Sequence, residues 1–176
     1  MEHALKTIST SGIDEALSKV HLYRSLNEPE ESESICHDIL AIDPENQEAL
    51  RLLGLSITDE FTGNASDRYA EAEAMFRRLT DSHAQHYYLG VLIERRAKAQ
   101  MRAGRPSYVV TALLEDALRH FEEAEKIRPA GNDDSILRWN RCVRLLQTLP
   151  RHEPVEPSSA FADEDTAPVG FKARSR

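Results

Sequence analysis

Two spacings recur along this chain, and together they leave few folds open. The first is Ala-x3-Phe-x2-Ala-x4-Pro, read at Ala117, Phe121, Ala124 and Pro129. It sets small and aromatic side chains one helical turn apart on one face and ends the helix on a residue that cannot continue it. Weaker copies stand at Ala72, Phe76 and Leu79, and at Ser32, Cys36, Ile39 and Pro44. The second spacing runs large, medium, small, large. It appears as Leu50-x2-Leu53-Gly54-x2-Ile57, His86-x2-Leu89-Gly90-x2-Ile93 and Trp139-x2-Cys142-Val143-x2-Leu146. Two helical motifs in alternation define an all-α repeat protein of paired helices, because each unit carries an apolar face that only its neighbours can bury.

The composition agrees. Hydrophobic residues make up 40% of 176 positions, with only seven glycines, which suits one helical core. The net charge of −8 is unevenly placed: Glu28, Glu30, Glu31, Glu33, Asp38, Asp43, Glu45 and Glu48 fall between Ser25 and Leu50 with no Lys or Arg among them. The remainder is close to neutral and has no concentrated basic stripe, which argues against sequence-independent nucleic-acid binding. Cys36 and Cys142 sit on apolar helix faces far apart in sequence and read as buried small hydrophobes in a reducing compartment. The opening MEHALKTISTSG has no apolar signal region, and the longest apolar run, Tyr87–Ile93, is too short to span a bilayer. The expectation is a cytoplasmic protein without a membrane association.

Three segments follow: residues 1–12 as a short N-terminal extension, 13–149 as the helical repeat domain, and 150–176 as a disordered Pro-rich tail. Within the repeat domain the first helix is expected from a Ser11 cap to about Leu26, and the second from Pro29 to about Ala41. Asp43 is expected to cap the third helix, with Pro44 at its first position. The linker Phe61–Ser66 precedes a fourth helix capped by Ser66 or Asp67. The fifth and sixth helices, divided at Gly104-Arg105-Pro106, are together about 15 residues longer than a roughly 34-residue repeat allows, or about two turns each. That predicts a third hairpin, residues 97–114, that overhangs the array like a finger, zipped by Ala97, Met101, Val109, Val110, Leu113 and Leu114. A seventh helix from Asp133 or Asp134 to about Leu149 caps the array.

These residues resemble the tetratricopeptide repeat (TPR) family. Leu53-Gly54 and Leu89-Gly90 match its Leu-Gly pair, Trp139 its leading Trp, Ala72/Phe76 and Ala117/Phe121 its second-helix pair, and Pro44 and Pro129 its terminal proline. The match departs at the two insertions, in the first helix, where Lys19 replaces a leucine, and at the absent proline near Ala84. The resemblance implies a right-handed α-α superhelix of about three helix pairs plus a capping helix. The first helix of each pair would line a concave groove that holds a partner peptide or helix. It places Arg24, Arg51, Leu55, Tyr87, Val91, Arg95, Asn140 and Arg144 on that groove, along with Leu17, His21, Glu94 and Gln147. Arginines outnumber acids there, so the ligand expected is an acidic peptide or a free C-terminus held by bidentate guanidinium contacts. The family's carboxylate-clamp pattern of Lys and Asn is not reproduced. The implied role is a non-catalytic scaffold or adaptor of bacterial style, without cofactor, metal, nucleic acid or membrane partner. A secretion-type chaperone for an exported client, or homo-oligomerisation through the 97–114 hairpin, are the alternatives.

Other candidate chemistry is thin. His83-x2-His86 could set two imidazoles on one face, but no further ligand stands at metal spacing. Adjacent Cys36 and His37 point in different directions on a helix and cannot act as nucleophile and base. No glycine-rich phosphate loop is present, and His21, Tyr87 and Glu94 have no spacing that fixes a mutual geometry. The run Glu28–Glu33 reads as a solvated helix start. Arg138, Arg141, Arg144 and Arg151 line the last helix and its exit, where they could meet Asp163-Glu164-Asp165 of the chain's own tail.

Overall fold

Two glycines bring the helices to contact distance. A Cβ on Gly54 would lie 2.6 Å from the ring of Phe76, and one on Gly90 would lie 2.6 Å from the ring of Phe121. Each aromatic ring therefore rests on bare backbone of the preceding helix, which is why Leu-Gly and Ala-x3-Phe alternate along the sequence. Phe76, Phe121, Ala72, Ala117 and Ala124 are all fully buried.

The computed structural model describes residues 3–150. After a short 3-10 turn, Thr10–Gly12, seven helices follow: α1 (Ile13–Ser25), α2 (Pro29–Ile42), α3 (Gln47–Asp59), α4 (Tyr69–Arg77), α5 (Ser82–Arg102), α6 (Ser107–Lys126) and α7 (Asp134–Thr148). No strand occurs among the described residues, so the all-α expectation holds. Each helix packs on the next in sequence. The odd-numbered helices also touch one another in order, α1 on α3, α3 on α5 and α5 on α7, a layer of contacts that the even-numbered helices do not match.

The end joints use the same register with other side chains. Val20 and Cys36 stand where Gly54 and Phe76 stand one pair later, and both are fully buried. A medium pair replaces the small–large one at similar total volume. On α7, Val143 takes the glycine position, and among the described residues no further helix brings an aromatic ring against it.

Three caps differ from expectation. Ser11 lies inside the 3-10 turn, and Gly12 precedes α1 with no side-chain cap bond. Asp43 ends α2 instead of opening α3; the Pro44-Glu45 turn intervenes, and Asn46 caps α3 by accepting the Ala49 N–H at 2.9 Å. Neither Ser66 nor Asp67 caps α4. The Asp67 carboxylate turns back into the linker, accepting the N–H and hydroxyl of Thr62 and the N–H of Gly63 at 2.7–3.0 Å. Burial opposes it, but those donors hold Asp67 below the usual carboxylate range. Asp81 does cap α5, accepting the Ala84 N–H at 2.8 Å.

The elongated hairpin is present, with α5 of 21 and α6 of 20 residues. It does not stand bare as a finger. The inserted linker lies along α5: Gly63, at φ 87°, packs where a Cβ would meet the Ala99 carbonyl at 2.6 Å. Gln100 donates to the Gly63 carbonyl at 3.1 Å, and Arg96 stacks on Tyr69 at 4.5 Å. On the other flank, Leu146, Leu149 and Pro150 share a pocket with Ser107, Tyr108 and Thr111 of α6. Ala97, Val110 and Leu114 are buried in this core. The two departures from a simple repeat, a long linker and a long hairpin, thus cover each other. The tail expected over 150–176, its Asp163-Glu164-Asp165 run and Arg151 lie outside the described residues from 151 onward, so the fold-back contact does too.

Candidate binding face

The odd-numbered layer carries a row of charged side chains that crosses every helix pair. Asp59, at the end of α3, is its first anchor. Arg24 of α1 reaches one Asp59 oxygen at 2.9 Å, and Arg95 of α5 reaches the other. Arg95 also donates the same nitrogen, Nη1, to the Leu55 carbonyl at 3.0 Å and the Thr58 hydroxyl at 2.6 Å. Burial draws Arg95 below its usual pKa, against the pull of Asp59. A guanidinium nevertheless stays charged near neutrality.

Glu94 is the second anchor. It is fully buried, not groove-facing as its spacing suggested. One oxygen accepts from Lys98 of α5 and the other from Arg138 of α7 at 3.1 Å. Arg138 lies 3.4 Å from the Tyr87 hydroxyl as well. A buried carboxylate is costly unless its charge is matched and its oxygens are bonded, and both conditions are met here.

Between the two anchors opens a pocket of about 260 Å³ lined by Thr58, Asp59, Arg95, Lys98, Arg102 and Arg138. Its lining carries four cations and one carboxylate. Arg102 is exposed and, among the described residues, reaches only the Phe61 carbonyl, at 3.4 Å. Sequence spacing alone missed Asp59, Lys98 and Arg102. Asp59 and Arg102 lie at the far ends of α3 and α5, and the latter falls in the extra turns, where repeat register assigns no role.

Of the residues expected to line the groove, Arg24, Leu55, Tyr87 and Arg95 are brought together through these bonds. Arg51 stands apart, paired with Glu48 at 3.1 Å and 6.0 Å from the Tyr88 ring centre. Val91 is corrected: it is 1% exposed and belongs to the core between α5, α6 and α7. Asn140 and Arg144 are exposed on α7, outside the pocket lining. His21 is exposed and pairs with Glu48 at 2.9 Å, so it does not join Tyr87 and Glu94.

The remaining groups have structural settings. Cys36 and Cys142 are fully buried, and burial pushes both thiols up to about 12. His83 stacks on Tyr87 at 6.2 Å, while His86 faces His120 at 6.0 Å, so the two α5 imidazoles do not converge on one point. Glu33, His37 and Glu71 do converge closely enough for metal ligation. Their centre already holds a cation: Arg68 grips Glu33 at 2.7 and 2.8 Å and Glu71 at 2.5 and 2.7 Å. No helix among the described residues is long and apolar enough to cross a membrane. Comparisons with protein-family models, with curated proteins and with solved structures found no match.

Proposed function

We propose that this chain is a tetratricopeptide-like protein-interaction module, non-catalytic and cytoplasmic, whose odd-numbered helices form the concave side of a right-handed superhelix. A partner segment lies along that side, and acidic residues of the segment meet its arginines. The single observation that carries this reading is the charge excess of the pocket between Asp59 and Glu94, in a protein whose overall charge is −8. Asp59 and buried Glu94 account for part of this cation cluster, and the excess beyond them suits a groove that selects acidic segments. Half-buried Leu55 and Tyr87 beside the row supply apolar contact. The alternative of self-association through residues 97–114 is less favoured, since Ala97, Val110 and Leu114 are buried inside the fold.

Fluorescence anisotropy with labelled Glu-rich, Gln-rich and Lys-rich peptides tests the reading. The Glu-rich peptide should bind, lose affinity as salt rises, and bind less well to Arg102→Glu/Arg144→Glu, both changes being at exposed positions. Equal binding of all three peptides, or none, would remove the basis for a groove selective for acidic segments.

A further inference from the structure

The pocket carries more positive charge than an ordinary acidic side chain can match. Arg95, Lys98, Arg102 and Arg138 contribute four positive charges and Asp59 one negative, an excess of three. Adding the supporting pair, Arg24 and Glu94, leaves the sum unchanged. A carboxylate entering this space would leave two charges unmatched, whereas a dianion leaves one. Arginine cannot relieve such crowding by losing a proton.

The donors agree with the charge count. Arg95 spends only Nη1 on the protein, and its Nε and Nη2 have no partner among the described residues. Among the described residues Lys98 gives one bond, to Glu94, Arg138 leaves Nη2 unused, and Arg102 has a single long bond. These free N–H groups come from two helices, α5 and α7, and a tetrahedral oxyanion with three acceptor oxygens can satisfy several at once. A space of about 260 Å³ is several times the roughly 30 Å³ share of one water, so such a group fits with its hydration.

We propose that this pocket binds a phosphoryl dianion carried by the partner segment, that is, a phosphorylated side chain rather than Asp or Glu. The inference rests on the reading of the odd-numbered side as a protein-binding groove, and it names the chemistry that side selects. Asp59 and Glu94 are positioning residues in this account: they hold Arg95, Lys98 and Arg138 in place without contacting the ligand.

The test uses the full chain and three probes: a short Glu-rich peptide with one phosphoserine, the same peptide with glutamate at that position, and inorganic phosphate. Isothermal titration at constant ionic strength should show the phosphoserine peptide binding about tenfold tighter than its glutamate counterpart. That advantage should shrink towards unity in Arg102→Ala and in Lys98→Met, with unfolding midpoints recorded to verify that each variant is folded. Equal affinity for the two peptides, or an advantage that survives in both variants, overturns the phosphoryl proposal while leaving the acidic-groove reading intact. Failure of both peptides to bind removes both. Inorganic phosphate binding as tightly as the phosphopeptide would assign the pocket to a free anion and overturn the partner-borne version.

Discussion

Two charged networks tie neighbouring helix pairs together in this molecule, and they are unbalanced in opposite directions. On the α2–α4 side, Arg68 is the one Lys or Arg among the described residues bonded to Glu33 and Glu71, with His37 3.4 Å from Glu33 and Glu60 nearby. On the α3–α5–α7 side, four cations share Asp59 and Glu94, and Arg102 lines the same pocket. The difference lies in how each excess can be relieved. Crowded carboxylates can take up a proton, and Glu60 shows the tendency: burial, then repulsion from Glu33, raises it above its usual value. Guanidinium groups have no such outlet, so the positive excess among the described residues stays charged near neutrality. The first network is a staple between helices; the second, on the function proposed above, is one that an anionic ligand completes.

The largest effect that would sharpen this contrast is at Glu94. Replacing it by Gln leaves Lys98 and Arg138 facing each other across a neutral, fully buried amide. The cost should be about 3 kcal/mol, the low end for breaking a buried pair because both cations are partly exposed. Urea unfolding measures it. Exchanging Glu94, Lys98 and Arg138 together for Met should recover most of that loss while abolishing any anion binding. A loss below about 1 kcal/mol in Glu94→Gln would mean the network is solvated and the contrast overstated.

The fold was far more legible in the sequence than this site. Gly54, Gly90, Phe76 and Phe121 stood out as the small and large members of two alternating motifs, and complementary volumes at fixed register set them against each other in the fold. Arg24 and Arg95 were found for the same reason, since repeat register places them on the odd-numbered side. The pocket itself depends on what register does not encode. Glu94 was misassigned to the groove because an isolated helix position does not reveal that Lys98, one turn on, and Arg138, two helices on, will cover it. Val91 failed in the same way: its neighbour α7 packs closely enough to bury it. Asp43 and Asp67 carried good capping signals, but their carboxylates accept from nearby turn and linker donors, the Asn46 side-chain amide and the N–H groups of Thr62 and Gly63, in place of first-turn helix N–H groups.

At Arg68 the expected effect is smaller. Its side chain is 38% exposed, and its partners Glu33 and Glu71 can be rehydrated when it is removed. Arg68→Met should cost about 1 kcal/mol or less, and the difference should shrink as salt screens the carboxylates left behind. Urea midpoints at low and high salt provide the comparison. A loss as large as that of Glu94→Gln would make the two networks energetically alike and undo the distinction between staple and binding site.

The smallest effect is the one that tests proton uptake directly. Glu60 has its Oε1 buried without a hydrogen-bond partner among the described residues, and its pKa in the folded chain is raised, chiefly by burial. In the unfolded chain it should titrate near the ordinary glutamate value of about 4.3. Because the folded state holds the proton more tightly, Glu60 favours folding most at pH below that value, and the contribution is lost as pH rises through the folded pKa. Glu60→Gln, which mimics the protonated form, should therefore be more stable than the parent at neutral pH and nearly equal to it near pH 4. The informative quantity is the difference between the two urea midpoints as a function of pH, in which the other carboxylates cancel. A flat difference would show that Glu60 is solvated when ionised. The acidic network would then have no need of a proton, and its excess charge would be no more readily relieved than that of the arginine pocket.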